Sequence, residues 1–315
     1  MLGRVRKLIL GKPIPTSRQQ HERLSNFFAL PVFSSDAVSS VAYGPQEVII
    51  ALAFLGSGAF HFSLPIGIAI AILIAIVSIS YRQTIFAYPH GGGSYTVAKD
   101  NLGTLPGLIA AASLLTDYIL TVAVSVSAGI AAIVAVSPHL AHLKVELCVL
   151  SVAVVAFANL RGLRESGWLF AIPTYMFIFS LYAVVIVGIY KVTFGPAPTP
   201  CIPALDKSLQ SSGLLLATIS LPLLLKSFSN GCSALTGIEA IANGIPAFRV
   251  PESKNAAKTM VLMATILGTL VLGISYLAMR YHAIPGDALK EMQKVAIEHG
   301  KVFTLPGFDH LKEQT

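Results

Sequence analysis

The chain of 315 residues is 54% hydrophobic and only 12% charged, with a mean hydropathy of +0.73. Soluble domains carry about 25% charged residues, so the composition excludes one and describes an integral membrane protein. The net charge of +7 does not point to nucleic acid, because Arg4, Arg6, Lys7, Lys12, Arg18 and Arg23 crowd ahead of the first apolar run, the usual bias of cytoplasmic membrane loops.

Taken in order, residues 1–27 form a cytoplasmic basic segment. It is no cleavable signal peptide, since its basic region is long and a full span follows. A bilayer-crossing helix needs about 20 apolar residues, and about seven segments qualify, near 28–56, 62–81, 105–137, 145–160, 168–191, 214–246 and 259–283. The first, third and sixth exceed a simple crossing, which predicts tilt, a break, or both. Arg82 and Lys99, then Arg161 and Arg164, then Arg249, Lys254 and Lys258 fall on the side of the N-terminus. The opposite loops carry little beyond Lys144, Lys191 and Lys207, so the N-terminus is expected in the cytoplasm. Residues 28–283 are then the transmembrane domain. Residues 284–315 are an extracellular polar tail, with Lys290, Glu291, Lys294, Glu298 and Lys301 at helical spacing. An odd number of spans ending in such a loop suggests a truncated product.

Cys148, Cys201 and Cys232 stand far apart, and the eight histidines form no ligand cluster. Neither a zinc site nor a disulfide framework is expected. No catalytic set emerges, so the chain is not expected to be an enzyme or to need a cofactor.

Three spans carry acids that a lipid-facing helix should not. An ionised Asp at mid-bilayer costs roughly 3 kcal/mol on insertion scales, so such residues face polar cavities and are functional by default. In the first span Asp36 sits among Ser34, Ser35, Ser39 and Ser40, followed by Tyr43 and Gly44-Pro45. The Gly-Pro pair should loosen the preceding turn and free carbonyls for a cation. In the third span Asp117, Thr121 and Ser125 recur every four residues and share a helix face, with Tyr118 at its edge. In the sixth span, small polar residues and glycines from Ser229 to Glu239 predict a discontinuous helix. Thr236 and Glu239, three apart, share a face there. A carboxyl in an apolar site has its protonation favoured by desolvation, which suits Glu239 to proton coupling. A plain alternative treats the hydroxyls as interhelical glue and Glu239 as a structural partner. Lys226 either snorkels or serves as a counter-ion, and Glu47 is open between a vestibule carboxyl and a span-end charge. Pro89-His90-Gly91-Gly92-Gly93-Ser94-Tyr95 lacks the context of a P-loop and reads better as a flexible cytoplasmic gate or reentrant turn. Acids in three spans argue for transport of a small cation.

The run from Ser35 to Pro45, the Pro89–Tyr95 turn, and Ala234-Leu235-Thr236-Gly237-Ile238-Glu239-Ala240 followed by Asn243-Gly244-Ile245-Pro246 resemble the amino acid–polyamine–organocation (APC) superfamily. The likeness runs from about Leu24 to His282 and is nearest to potassium–proton symporters of the KimA type, related to the Kup transporters. It implies an all-α, LeuT-like fold of inverted repeats, with the first and sixth helices discontinuous. It also implies a potassium path lined by Asp36, Tyr43, Asp117, Tyr118, Thr121, Ser125 and Thr236, with Glu239 in proton coupling. Such transporters carry further spans and a cytoplasmic C-terminal domain. The fold expected here is therefore incomplete, in a multi-pass protein of the plasma membrane that is doubtful as a transporter alone. Its partners are potassium, protons and the lipid bilayer, with a homodimer and a separate C-terminal half left open. The rival readings are an amino acid permease and an inert membrane fragment. Asp36 counts against the permease, because it would repel a substrate carboxylate where such proteins present helix N-termini.

Overall fold

Long runs of Leu, Ile, Val and Ala must bond their own backbone where water is absent, and a helix does this within one segment. The computed structural model describes residues 23–53, 57–160, 163–196, 221–281 and 283. Most of the basic head, the polar tail from 284, Lys207 and the first residues of the sixth span lie outside the described residues.

The helices are α1 (Asn26–Ala53), α2 (Ser63–Ala87), α3 (Gly93–Leu102), α4 (Thr104–Val136), α5 (Lys144–Leu160), α6 (Leu163–Phe194), α7 (Leu221–Gly231), α8 (Ala240–Asn243) and α9 (Glu252–Tyr281). Short 3₁₀ turns precede α2 and α5, follow α7, and follow α8. No strand longer than one bridge occurs among the described residues. Five stretches are long and apolar enough to cross a membrane: Ala59–Ala87, Thr104–Val136, Pro138–Phe157, Phe170–Phe194 and Glu252–Tyr281.

The two other expected spans differ. The sixth is broken as expected: α7 gives way to a 3₁₀ turn at Cys232–Leu235 and restarts at α8. The first is not broken. It is one α-helix over 28 residues, which corrects the discontinuity expected at Gly44-Pro45. Proline removes a single donor, here the one that would reach the Val41 carbonyl, and the turns on either side keep theirs. Ser39 Oγ donates to the Asp36 carbonyl at 2.8 Å and Ser40 Oγ to the Ala37 carbonyl at 2.6 Å, inside the helix one turn earlier. The structure also contains a helix that was not expected, α3, directly after the glycine turn.

The described residues gather into two compact units. The first holds those up to Ser40, Ile76–Ile178 and Leu235–Ile266. Its core includes Leu30, Ile85, Ile238, Ile241, Phe248 and Met260, each essentially buried. Leu24 ties its start to the segment after α8: its N–H donates to the Ala247 carbonyl at 2.8 Å, and it accepts from the Arg249 N–H at 3.1 Å. An Arg23–Glu252 ion pair lies beside this strap, and the Phe33 ring stacks on Phe248 at 5.5 Å.

The second unit holds Val41–Ala75, Phe179–Ala234 and the residues from Leu267 on. Its helices meet through small residues, which lets backbones approach closely where lipid offers no hydrophobic drive. A Cβ on Gly44 would lie 2.7 Å from Ala234 Cβ and 3.1 Å from its nitrogen. Ser63 Oγ donates to the Ser275 carbonyl at 3.3 Å, and Tyr182 and Thr269 hydroxyls lie 2.6 Å apart. Because the neighbour of Gly44 is partly backbone, Gly44→Val is expected to destabilise the fold by about 1–3 kcal/mol. Thermal unfolding in detergent would show this as a lowered midpoint, and an unchanged midpoint would contradict so close an approach.

Candidate functional site

All the expected site residues except Tyr43 fall in the first unit; Tyr43 is half-buried on α1 in the second. In α1, the alternation of small and polar residues buries Ser34 fully and leaves Asp36 half-buried. The two Asp36 oxygens have different surroundings. Oδ2 lies against the turn after α7, where a Cβ on Gly237 would come within 2.8 Å of it. Oδ1 is buried with no hydrogen-bond partner. Buried polar atoms are rarely left this way.

Helix α4 confirms the face read from spacing. Asp117, Tyr118, Thr121 and Ser125 are each half-buried, while the intervening Leu115, Ile119, Leu120 and Val124 are exposed, Leu115 by 62%. A lipid-facing helix with one polar stripe has this pattern. The Ser125 hydroxyl is buried without a partner, like Asp36 Oδ1.

The break in the sixth span supplies the third group. Gly237 takes φ +77°, a left-handed conformation that costs other residues roughly 1–2 kcal/mol. Thr236 precedes it, half-buried. Glu239 follows and is surrounded by donors. Its Oε1 accepts from the Ser94 N–H at 2.6 Å, and its Oε2 from Ser94 Oγ at 2.6 Å and the Tyr81 hydroxyl at 3.0 Å. An apolar site and a structural polar partner were the two expectations for Glu239, and the structure gives it three donors. Asn243 Nδ2, one turn on, donates to the Tyr118 hydroxyl at 3.1 Å.

Asp36, Asp117 and Glu239 all belong to the first unit, and the Asn243–Tyr118 bond ties the segment that carries Glu239 to the polar stripe of α4. Among the described residues, Arg23–Glu252 is the ion pair present, and no basic side chain is paired with Asp36, Asp117 or Glu239. Lys226 is exposed and makes no ion pair among the described residues. No three acids, histidines or cysteines among the described residues close around one point as a multivalent metal site requires.

Tyr81, Ser94 and Asn243 escaped the sequence reading as site residues. Tyr81 stands beside Arg82 at a span end, where an aromatic ordinarily marks the membrane interface. Ser94 and Asn243 stood within quoted motifs, with no local signal of what they bond.

The amino acid permease family model matches residues 28–301. The chain belongs to that family. The chain is thus a multi-pass membrane protein of a transporter family. It is 44% identical over 298 residues to the potassium transporter KimA of Bacillus subtilis. The alignment covers 95% of this chain and 48% of KimA, so the chain spans about half the length of that curated relative.

At Gly237 the broken helix lies directly against Asp36. A Cβ there would also lie 2.7 Å from the Ala37 nitrogen. Gly237→Ala is therefore expected to cost about 1–3 kcal/mol from the strained φ and the collision together. A lowered melting midpoint would report it, and wild-type stability would contradict the left-handed turn.

Proposed function

We propose that the chain carries the ion path of a secondary active transporter that imports potassium together with protons. The observation that supports this most is the pairing of two buried oxygens lacking a protein partner, Asp36 Oδ1 and Ser125 Oγ, with carboxyls that no described cation neutralises. Asp36, Asp117, Tyr118, Thr121, Ser125 and Thr236 are assigned to potassium, with Tyr43 as a further ligand from α1. Potassium sites replace the ion's hydration shell with oxygens, and these residues supply carboxylate, hydroxyl and phenol oxygens. Glu239 is assigned to proton coupling. Carboxyls in one unit with no described basic partner can be neutralised by either a potassium ion or a proton, which gives a physical basis for linking their movements. The name of the relative, a potassium transporter, supports the choice of ion.

The basic residues on one side of the spans support a cytoplasmic N-terminus. The further spans expected from the family would come from a C-terminal half, and a homodimer is the assembly proposed with it. An amino acid substrate is the second reading, because the family bears that description. Asp36 would repel its carboxylate, so potassium is preferred.

Expression of the full-length protein in a potassium-uptake-deficient host tests both readings. Growth on low potassium is expected, and Asp36→Asn or Asp117→Asn should reduce uptake to background. Glu239→Gln should remove the dependence of uptake on external acidification. Undiminished uptake in both aspartate variants would remove the site assignment, and amino acid uptake without potassium uptake would favour the second reading.

A further inference from the structure

The glycine turn between α2 and α3 has no place in the proposed ion path, yet it holds both oxygens of Glu239. Ser94 reaches Oε1 with its backbone N–H and Oε2 with its hydroxyl, each at 2.6 Å. The Tyr81 hydroxyl, from α2, lies 3.0 Å from both Oε2 and Ser94 Oγ. The turn is shaped to this fit. Gly91, Gly92 and Gly93 all have positive φ. A Cβ on Gly93 would collide with the Glu239 carboxyl and the Asn243 side chain, and one on Gly91 would lie 2.8 Å from the Asn243 carbonyl oxygen. Backbone therefore lies directly on the segment that carries Glu239, with the N-terminus of α3 aimed at the carboxyl, where a negative charge is favoured.

The donors have a consequence for protonation. An ionised carboxyl is an acceptor only, whereas a protonated one must place a hydrogen on one oxygen. On Oε1 that hydrogen would oppose the Ser94 N–H, which cannot reverse. On Oε2 it would force hydroxyls to turn, and bonds to a neutral group are roughly half as strong as charge-assisted ones. The titratable groups facing Glu239 are Tyr81 from α2 and Asp117 and Tyr118 from α4.

We infer that Ser94 and Tyr81 are positioning residues for Glu239, and that the Gly91–Ser94 turn is a latch, closed on the ionised carboxyl and released when Glu239 takes up a proton. The inference rests on the proposed proton role of Glu239 and adds the element that responds to it. Proton uptake at Glu239 thereby loosens the connection between α2 and α3.

Hydrogen–deuterium exchange of the full-length protein at one pH tests this in peptides covering 88–96. E239Q and S94A are each expected to raise exchange there by at least about tenfold, the worth of a charge-assisted hydrogen bond. Y81F should raise it less, and S94T, which keeps both donors, should restore protection. Exchange across α9 should stay at its wild-type level in all four, which separates latch release from general unfolding. Wild-type protection of 88–96 in E239Q, or failure of S94T to restore what S94A loses, overturns the latch. Potassium uptake measured on the same proteins separates the two readings. No uptake with the expected exchange pattern refutes the transport role alone, and acid-driven uptake with an unresponsive turn refutes the latch alone.

Discussion

A carboxyl group inside an apolar bundle needs either donors or an opposite charge, because burying it with neither is costly. In this chain three carboxyls share one unit, and no described basic side chain pairs with any of them. The structure treats each differently. Glu239 takes three donors from protein. Asp36 has one oxygen pressed against Gly237 and the other unpartnered. Asp117 sits half-buried at the head of a hydroxyl stripe. This division of labour is the physical ground for assigning one group to proton handling and the others to a cation.

The backbone around the site follows from the same constraint. The break in the sixth span lets a short turn present Thr236, Gly237 and Glu239 together, and only a glycine fits between that turn and α1. The first helix stays intact through Pro45, with the serine hydroxyls bonded to carbonyls in the turn that carries Asp36. An ion meeting this part of α1 would therefore find side-chain oxygens, not unwound backbone. Under the proposed reading, coordination would rest on Asp36 and the α4 hydroxyls and not on carbonyls of α1.

What could be read in the sequence divides along physical lines. Asp36 and Asp117 stood out because they break a rule that is nearly local, the exclusion of charge from apolar spans. The α4 stripe was legible because helical spacing alone determines its face. The sixth-span break was legible through its glycines. The continuity of α1 was not, since a Gly-Pro pair signals weakness although the proline removes only one of the bonds that hold a 28-residue helix. Helix α3 was hidden by its polar composition, with Lys99, Asp100 and Asn101 in ten residues. The grip of Ser94 and Tyr81 on Glu239 spans 145 and 158 positions, a tertiary meeting that no local pattern announces.

Rubidium, a heavier ion of potassium's charge and similar chemistry, can be located by anomalous scattering in crystals of the full-length protein. An anomalous peak within coordinating distance of both Asp36 Oδ1 and Ser125 Oγ is the predicted result. A bound ion held elsewhere, with these two oxygens bonded only to water or to protein, would contradict the site.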